Sequence, residues 1–338
     1  MAQTPPRFTL GIDIAKDKFD AALISADNRP KSRVFTNNTA GFEKLVLWLR
    51  QQFATDPSTI HVGMEATGSL ADALAYFLHE RGFLVSVTNP AAIAAFAKSR
   101  LVRNKTDKAD AELIARFLLA CSPALWTPPP AEIAHLQALS RRLAALEQMK
   151  QMEENRIKTL SPAVSVPIVL QSLESVVAAL DKEIQLLQDE IDRYTKETVA
   201  LKEKADLLTS IPGIGEVTAR VLLAEIPDIS RFSSSSALVA YAGLSPKQSQ
   251  SGSSVRHKTH LCKMGSSRLR KALFFPAMSG LDHNPLWTEM RNRMLARGKA
   301  KMCIIGVAMR KMLTLVFGIL KSGKRFDKSY HLPKACPA

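Results

Sequence analysis

Phe8-Thr9-Leu10-Gly11-Ile12-Asp13 is a short apolar run that closes on an acid. Its length and composition mark a buried strand with Asp13 at its exit. Working outward, Phe19-Asp20-Ala21-Ala22-Leu23-Ile24 and Ser32-Arg33-Val34-Phe35-Thr36 read as a second and a third strand, with turn residues Asp27-Asn28 between them. Three strands in succession predict an antiparallel meander. The period then becomes helical from Gly41 to Phe53, where Phe42, Leu45, Val46, Leu49 and Phe53 form one stripe. It returns to a strand at Ile60-His61-Val62-Gly63-Met64. A helix over 69–81, a strand over 83–87 and helices over 91–98 and 108–120 follow.

A meander followed by alternating helix and strand is the RNase H-like order, a mixed sheet flanked by helices. Thr127-Pro128-Pro129-Pro130 is a stiff breaker that ends this domain, taken as 1–126. Two long helical patterns come next, about 132–159 and 167–204, within a region taken as 131–207. In the second, Leu170, Leu173, Val177, Leu180, Ile184, Leu187, Ile191 and Tyr194 step by threes and fours. That seam fits either a coiled coil between chains or an antiparallel helical hairpin within one chain. Ser210-Ile211-Pro212-Gly213-Ile214-Gly215 opens the last domain, 208–325, before a tail over 326–338. The two glycines open like a dinucleotide fingerprint, but they follow a charged helix instead of a strand, which removes that reading. A helix–hairpin–helix-like turn is expected, with Gly213 and Gly215 letting backbone amides approach a nucleic-acid phosphate; a simple helix C-cap also asks for glycine there. The remainder reads as helical patches joined by a serine-rich, basic stretch. The fold class is therefore α/β followed by mainly α.

Hydrophobic residues at 46% and charged residues at 23% are the balance of a folded chain and exclude wholesale disorder. No apolar run reads as a membrane span, and the first residues carry no secretory pattern, so a cytoplasmic location without membrane contact is expected. The 4 cysteines are scattered without a C-x-x-C pair, which points away from a zinc knuckle or a disulfide framework. Charge is uneven: residues 208–338 hold 21 Lys and Arg against 6 Asp and Glu, whereas residues 1–207 hold 25 of each. The whole excess of +15 thus sits in the last part of the chain. A surface of that kind attracts polyanions, of which nucleic acid is the commonest.

Four acids stand where the expected sheet brings its strand ends together. Asp13 ends the first strand, Glu65 ends the fourth, and Asp107 and Asp110 sit at i and i+3 in the last helix of the domain. Converging carboxylates repel unless cations neutralise them, and Mg²⁺, with Mn²⁺ as the alternative, prefers such oxygen ligands. One or two ions there would activate an attacking oxygen and steady a leaving oxygen on phosphorus. Each acid alone reads equally as a cap or turn former, and Lys105 and Lys108 either bind a phosphate or pair with the acids.

Between Gly243 and Leu269 runs Ser245-Pro246-Lys247-Gln248-Ser249-Gln250-Ser251-Gly252-Ser253-Ser254-Val255-Arg256. Composition alone reads it as a mobile linker. A serine becomes a nucleophile toward a phosphodiester when nearby cations favour its alkoxide and neutralise the developing charge, and Lys247, Arg256, Lys258, Lys263 and Arg268 are available for that role. Spacing does not choose among the five serines of this stretch.

Taken in order, Gly11-Ile12-Asp13-Ile14-Ala15-Lys16, Glu65-Ala66-Thr67-Gly68, Asn104-Lys105-Thr106-Asp107-Lys108-Ala109-Asp110-Ala111, Ile211-Pro212-Gly213-Ile214-Gly215 and Gln250-Ser251-Gly252-Ser253-Ser254 resemble the DEDD-type insertion-sequence transposases, the bridge-RNA-guided recombinases. The resemblance implies that Asp13, Glu65, Asp107 and Asp110 form the acidic tetrad of a RuvC-like domain. It also implies that Ser251, in a C-terminal transposase domain, attacks DNA and becomes covalently joined to it. Partners implied in the same way are donor and target DNA, a structured noncoding guide RNA, and further copies of the chain as dimers assembling to a tetramer, with the acids of one protomer meeting the serine of another. Two other readings stay open on the residues: a junction-resolvase-type metal nuclease using water, and a non-catalytic nucleic-acid scaffold.

Overall fold

The computed structural model describes residues 8–25, 28–53, 56–66, 69–101, 106–160, 166–226, 228–247, 250–251, 255–256 and 260–327. The chain divides into two compact units, 1–128 and 129–338. Their boundary falls inside the proline run, whose fixed φ and missing amide donors stop any element that reaches it.

The first unit runs β1 (Phe8–Ile14), β2 (Lys18–Ile24), β3 (Pro30–Thr36), α1 (Thr39–Phe53), β4 (Ile60–Glu65), α2 (Ser69–Glu80), β5 (Leu84–Thr88), α3 (Pro90–Ser99) and α4 (Asp107–Cys121). The sheet order is β3-β2-β1-β4-β5; β1, β2 and β3 are antiparallel, and β4 and β5 run parallel to β1. This is the mixed RNase H-like order that the alternation of periods predicts. Because side chains alternate across a strand, Leu10 and Ile12 of β1 and Val62 and Met64 of β4 enter one core with Leu45 and Leu49 of α1 and Leu74 and Leu78 of α2. Phe19, Phe35 and Trp48 extend that core, with ring centroids 5.4 Å and 5.8 Å apart in sequence.

The opposite face of the sheet is built by glycine. Gly11 and Gly63 are paired across β1 and β4. A Cβ at Gly11 would lie 2.1 Å from the Ala111 carbonyl oxygen and 2.3 Å from the Ala115 amide nitrogen, both backbone atoms of α4. At Gly63 it would lie 2.6 Å from a Leu118 methyl. Helix α4 therefore rests directly on the sheet backbone, with Ala111 and Ala115 facing Gly11 for the same steric reason.

In the second unit, α5 (Ala131–Thr159) and α6 (Pro167–Glu197) form an antiparallel pair. Leu146 of α5 packs on Leu180 and Ile184 of α6, His135 stacks on Tyr194 with centroids 4.3 Å apart, and Lys150 pairs with Asp181. The apolar seam is thus filled within the chain, as the hairpin alternative required. The helix expected to continue to Lys204 breaks at Thr198, whose extended backbone separates α6 from α7 (Val199–Thr209). The break redirects the chain so that Leu201 and Leu208 enter a large helical core. That core also takes α8 (Glu216–Glu225), α9 (Ser235–Tyr241), α10 (Ser267–His283), α11 (Pro285–Ala296) and α12 (Lys301–Ser322). It includes Ile133, Leu136 and Ile191, so the hairpin's base and the basic C-terminal helices share one interior. Phe326, placed in the tail by the sequence reading, still packs against it and donates its amide to Ser210 Oγ at 2.9 Å.

Helix α12 is by length and composition apolar enough to cross a membrane, a test that the core helix of a folded unit also passes. Its buried side chains, among them Ile304, Ala308, Met312, Leu313 and Val316, are those of the unit's central helix. Arg310 and Lys311 interrupt the run at mid-length and are exposed, which is why it did not read as a span.

The glycine pair makes a graded prediction. Gly11→Ala, whose methyl meets rigid helix backbone, should lower unfolding stability by about 3 kcal/mol or more; Gly63→Ala, whose methyl meets a side chain that can rotate, should cost about 1–2 kcal/mol. Chemical denaturation followed by circular dichroism reads both, and equal costs would show that α4 does not rest on β1 as described.

Candidate metal-binding acidic edge and serine ribbon

The close seat of α4 decides where four of the predicted residues stand. Asp13 follows Gly11 by two residues on β1, and Glu65 follows Gly63 by two on β4, so both acids share the glycines' face at the strand exits. Helix α4 begins over those exits. Thr106 caps it, its hydroxyl accepting from the Ala109 amide at 3.2 Å, and Asp107 and Asp110 occupy the first turn, where the helix dipole favours acids.

The four carboxylates act on one another. Asp13, half-buried, is pushed up from 3.8 to about 6, by burial first and then by the charges of Asp110, Asp107, Glu65 and Asp20. Asp107 is held below its usual range, chiefly by the hydrogen bond from Lys18, whose ammonium lies 2.9 Å from Asp107 Oδ2. Among the described residues, no three His, Cys, Asp or Glu side chains lie together as a closed ligand set. The donors are nonetheless all oxygen, and their mutual repulsion is what a hard divalent cation relieves, so the edge suits Mg²⁺ or Mn²⁺ over a softer metal.

Asp20 was missed by sequence reasoning. It is buried and pairs directly with Asp13 across β1 and β2, which adds a fifth acid to the same face. The sequence pattern gives no signal for it: the backbone turn in which Ala15 N donates to Lys18 O fixes the hairpin register, and only that register sets Asp20 against Asp13. Lys108 is exposed on α4, whereas Lys105 lies outside the described residues.

The serine-rich stretch folds back as paired short strands, not as the open linker that composition suggests. β6 (Pro246–Lys247) pairs with β9 (His260–Leu261), and β7 (Gln250–Ser251) pairs with β8 (Val255–Arg256). Backbone pairing supplies the order that side-chain composition does not encode. Ser251 stands opposite Val255, Gln250 opposite Arg256, and Lys247 is exposed on β6. Of the two hairpin glycines, Gly213 has φ +94° and a Cβ there would lie 2.7 Å from the Pro276 carbonyl, so its requirement is the packing of this turn on α10. Gly215 caps α8 with open space at its Cβ position, which leaves that amide end approachable.

Comparison with known proteins gives two family matches, the first of which runs past the unit boundary through α5. Residues 10–161 match the IS110 DEDD transposase family, and residues 205–291 match the transposase family IS116/IS110/IS902. The pilin gene-inverting proteins of Moraxella bovis and Moraxella lacunata are 37% and 36% identical to the chain over 324 residues, spanning 95% of it and 98% of their own length. The transposase for insertion sequence element IS1111A of Coxiella burnetii is 26% identical, across 87% of this chain and 85% of its own. Among solved structures, T. thermophilus RuvC in complex with a Holliday junction substrate covers 35% of this chain and 99% of its own, at 12% identity and a TM-score of 0.28.

The raised Asp13 carboxyl implies a pH signature. Between pH 3.8 and about 6 the unfolded chain releases this proton while the folded chain keeps it, so stability falls as pH rises, and the loss is complete above about 6. Asp13→Asn should therefore stabilise the metal-free protein at pH 7.5, by about 1–2 kcal/mol once solvent screening of a half-buried group is allowed for, and leave it unchanged near pH 3.5. Denaturant midpoints at the two pH values test it; a gain of the same size at both would assign the effect to packing instead of charge.

Proposed function

The chain belongs to the IS110 family of transposases, and on that premise we propose that it is a DNA recombinase that cuts and rejoins strands through a covalent serine–phosphate intermediate. The observation that carries the reading is the convergence of Asp13, Glu65, Asp107 and Asp110 on one sheet edge, with the charges of the other three raising Asp13. Near full-length similarity to gene-inverting proteins supports rejoining as well as cutting, because inversion leaves no broken ends.

In this reading the acids hold one or two divalent ions, Mg²⁺ or Mn²⁺, which when bound would supply charge neutralisation at the scissile phosphate. The chain's own groups do the rest. The Ser251 hydroxyl gives up its proton and its oxygen bonds to phosphorus; the phosphorus–oxygen bond to the neighbouring sugar breaks, and the freed sugar oxygen takes a proton. The serine ester conserves the bond energy, so a second DNA hydroxyl can displace Ser251 and reseal a strand without ATP. Arg256, on the strand paired with that of Ser251, and Lys247, on the preceding strand β6, are assigned to the phosphate's developing charge, and Lys105, Lys108, Gly213 and Gly215 to backbone contacts.

The partners proposed are donor and target DNA and a structured guide RNA that pairs with both, so that sequence choice belongs to base pairing and protein contacts fall mainly on backbones. The basic excess of residues 208–338 supports the polyanion partners. We assign a dimer assembling to a tetramer through the α5–α6 hairpin as a coiled-coil element. Its outer apolar side chains, Met149, Met152, Ile168, Val169 and Val176, are exposed in the single chain and support that assignment.

Incubation of the purified protein with element-derived RNA, Mg²⁺ and labelled target DNA should give a covalent protein–DNA band on a denaturing gel. Ser251→Ala and Asp13→Ala should each reduce it by more than about 10³-fold. Strand cleavage that persists in Ser251→Ala would assign the acids to a water-using nuclease of the junction-resolvase type.

A further inference from the structure

The acidic edge already carries a cation of its own. Lys18, the first residue of β2, places its ammonium 2.9 Å from Asp107 Oδ2 and 3.5 Å from Asp20 Oδ2. It shares a face of β2 with Asp20, and Asp20 stands opposite Asp13, so Lys18 bridges the sheet to the first turn of α4 where the carboxylates gather. We propose that Lys18 is a positioning residue of the metal site: a resident counter-cation that holds Asp107 and Asp20 in the metal-free protein and yields Asp107 when a divalent ion binds. The inference rests on reading these carboxylates as metal ligands.

Three properties of the bridge fit an exchangeable cation. Its charge is needed, because acids facing one another across β1, β2 and α4 repel in the absence of a positive group. Its hold is weak, because the Lys18 and Asp107 side chains are 50% and 57% exposed, and water screens a single charge at that exposure while an ion of twice the charge competes for the same oxygens. Its removal is easy, because a lysine ammonium is a point charge on a flexible stem and can leave without backbone movement. A permanent structural pair between Lys18 and Asp107 would show burial at both ends and a forked arginine; in this bridge only the Asp20 end, at 3.5 Å, is buried, so Asp107 is the oxygen given up.

Lys16 provides the control that the proposal needs. It lies two residues away, is exposed, and makes no ion pair within 4 Å among the described residues, so removing it takes away the same long-range charge without the bridge. Mn²⁺ binding to the full-length protein, followed by the electron paramagnetic resonance signal of the free ion, should tighten by about fivefold or more in Lys18→Met and in Lys18→Gln, and by less than about twofold in Lys16→Met. Asp13→Asn, expected to abolish tight binding, identifies the site being measured. Equal tightening in the Lys16 and Lys18 variants would overturn the proposal by reducing the effect to general charge, and unchanged or weaker binding in both Lys18 variants would overturn it by making the lysine a helper of the ion. In either case Asp13-dependent binding leaves the metal reading standing. Absence of Asp13-dependent binding in all of the proteins would remove both.

Discussion

Contact between a helix and bare strand backbone is the constraint on which the acidic edge depends. Residues on a strand reach the helix covering them through their side chains, which ordinarily hold the two about 10 Å apart. Gly11 and Gly63, paired across β1 and β4, remove those spacers at one place, and Ala111 and Ala115 remove them from the other side. Helix α4 drops onto the sheet there. Two residues further along each strand the chain changes from glycine to acid, and on α4 Asp110 directly precedes Ala111 while Asp107 lies one turn back. The same approach that packs the helix therefore brings its acidic first turn against acidic strand ends. Neither half of this arrangement is adjustable alone, because lifting the helix to relieve the charge would open the contact that seats it.

Much of this was legible before the structure, and for a definite reason. The first unit is made of elements with one buried face and a clear period, so the alternation around Leu10 and Ile12 and the stripe from Phe42 to Phe53 specify type and order within two residues at their ends. The acids were legible for the same reason, since each ends an element whose direction is known. Asp20 and Lys18 were not, because a strand's internal register is set by hydrogen bonding to its neighbour and leaves no mark on the strand's own pattern. The glycines lay between these cases: Gly11-Ile12-Asp13 and Gly63-Met64-Glu65 repeat one spacing, but the meaning of the repeat needs the in-register pair.

The second unit was harder to read because its helices are defined by one another. The pattern from Pro167 to Lys204 is continuous in polarity, and only the demand of a separate core for Leu201 and Leu208 explains why the helix stops at Thr198. The seam of α6 likewise leaves its partner unnamed; the stacking of His135 on Tyr194 and the pairing of Lys150 with Asp181 identify α5. Polar composition misled at 246–261 in the opposite direction. Backbone hydrogen bonds order a ribbon whose side chains would suit any solvent-exposed segment, and these bonds are long-range facts with no local signature.

Electrostatics divides the chain in a way that packing does not. The edge that gathers Asp13, Glu65, Asp107 and Asp110 repels a phosphodiester as strongly as its members repel one another, while residues 1–207 carry no net charge to offset it. Attraction of a polyanion must come from the basic residues 208–338, whose field acts over distances near the Debye length of about 10 Å in dilute salt. Acids and bases placed side by side neutralise each other through ion pairs of the kind that Lys18 makes with Asp107. In sequence the two are apart: the acids lie in the first unit and the basic excess lies in residues 208–338 of the second. The cost of gathering the acids is visible in the raised Asp13 carboxyl: the metal-free fold is destabilised at neutral pH by the charges that its proposed function requires.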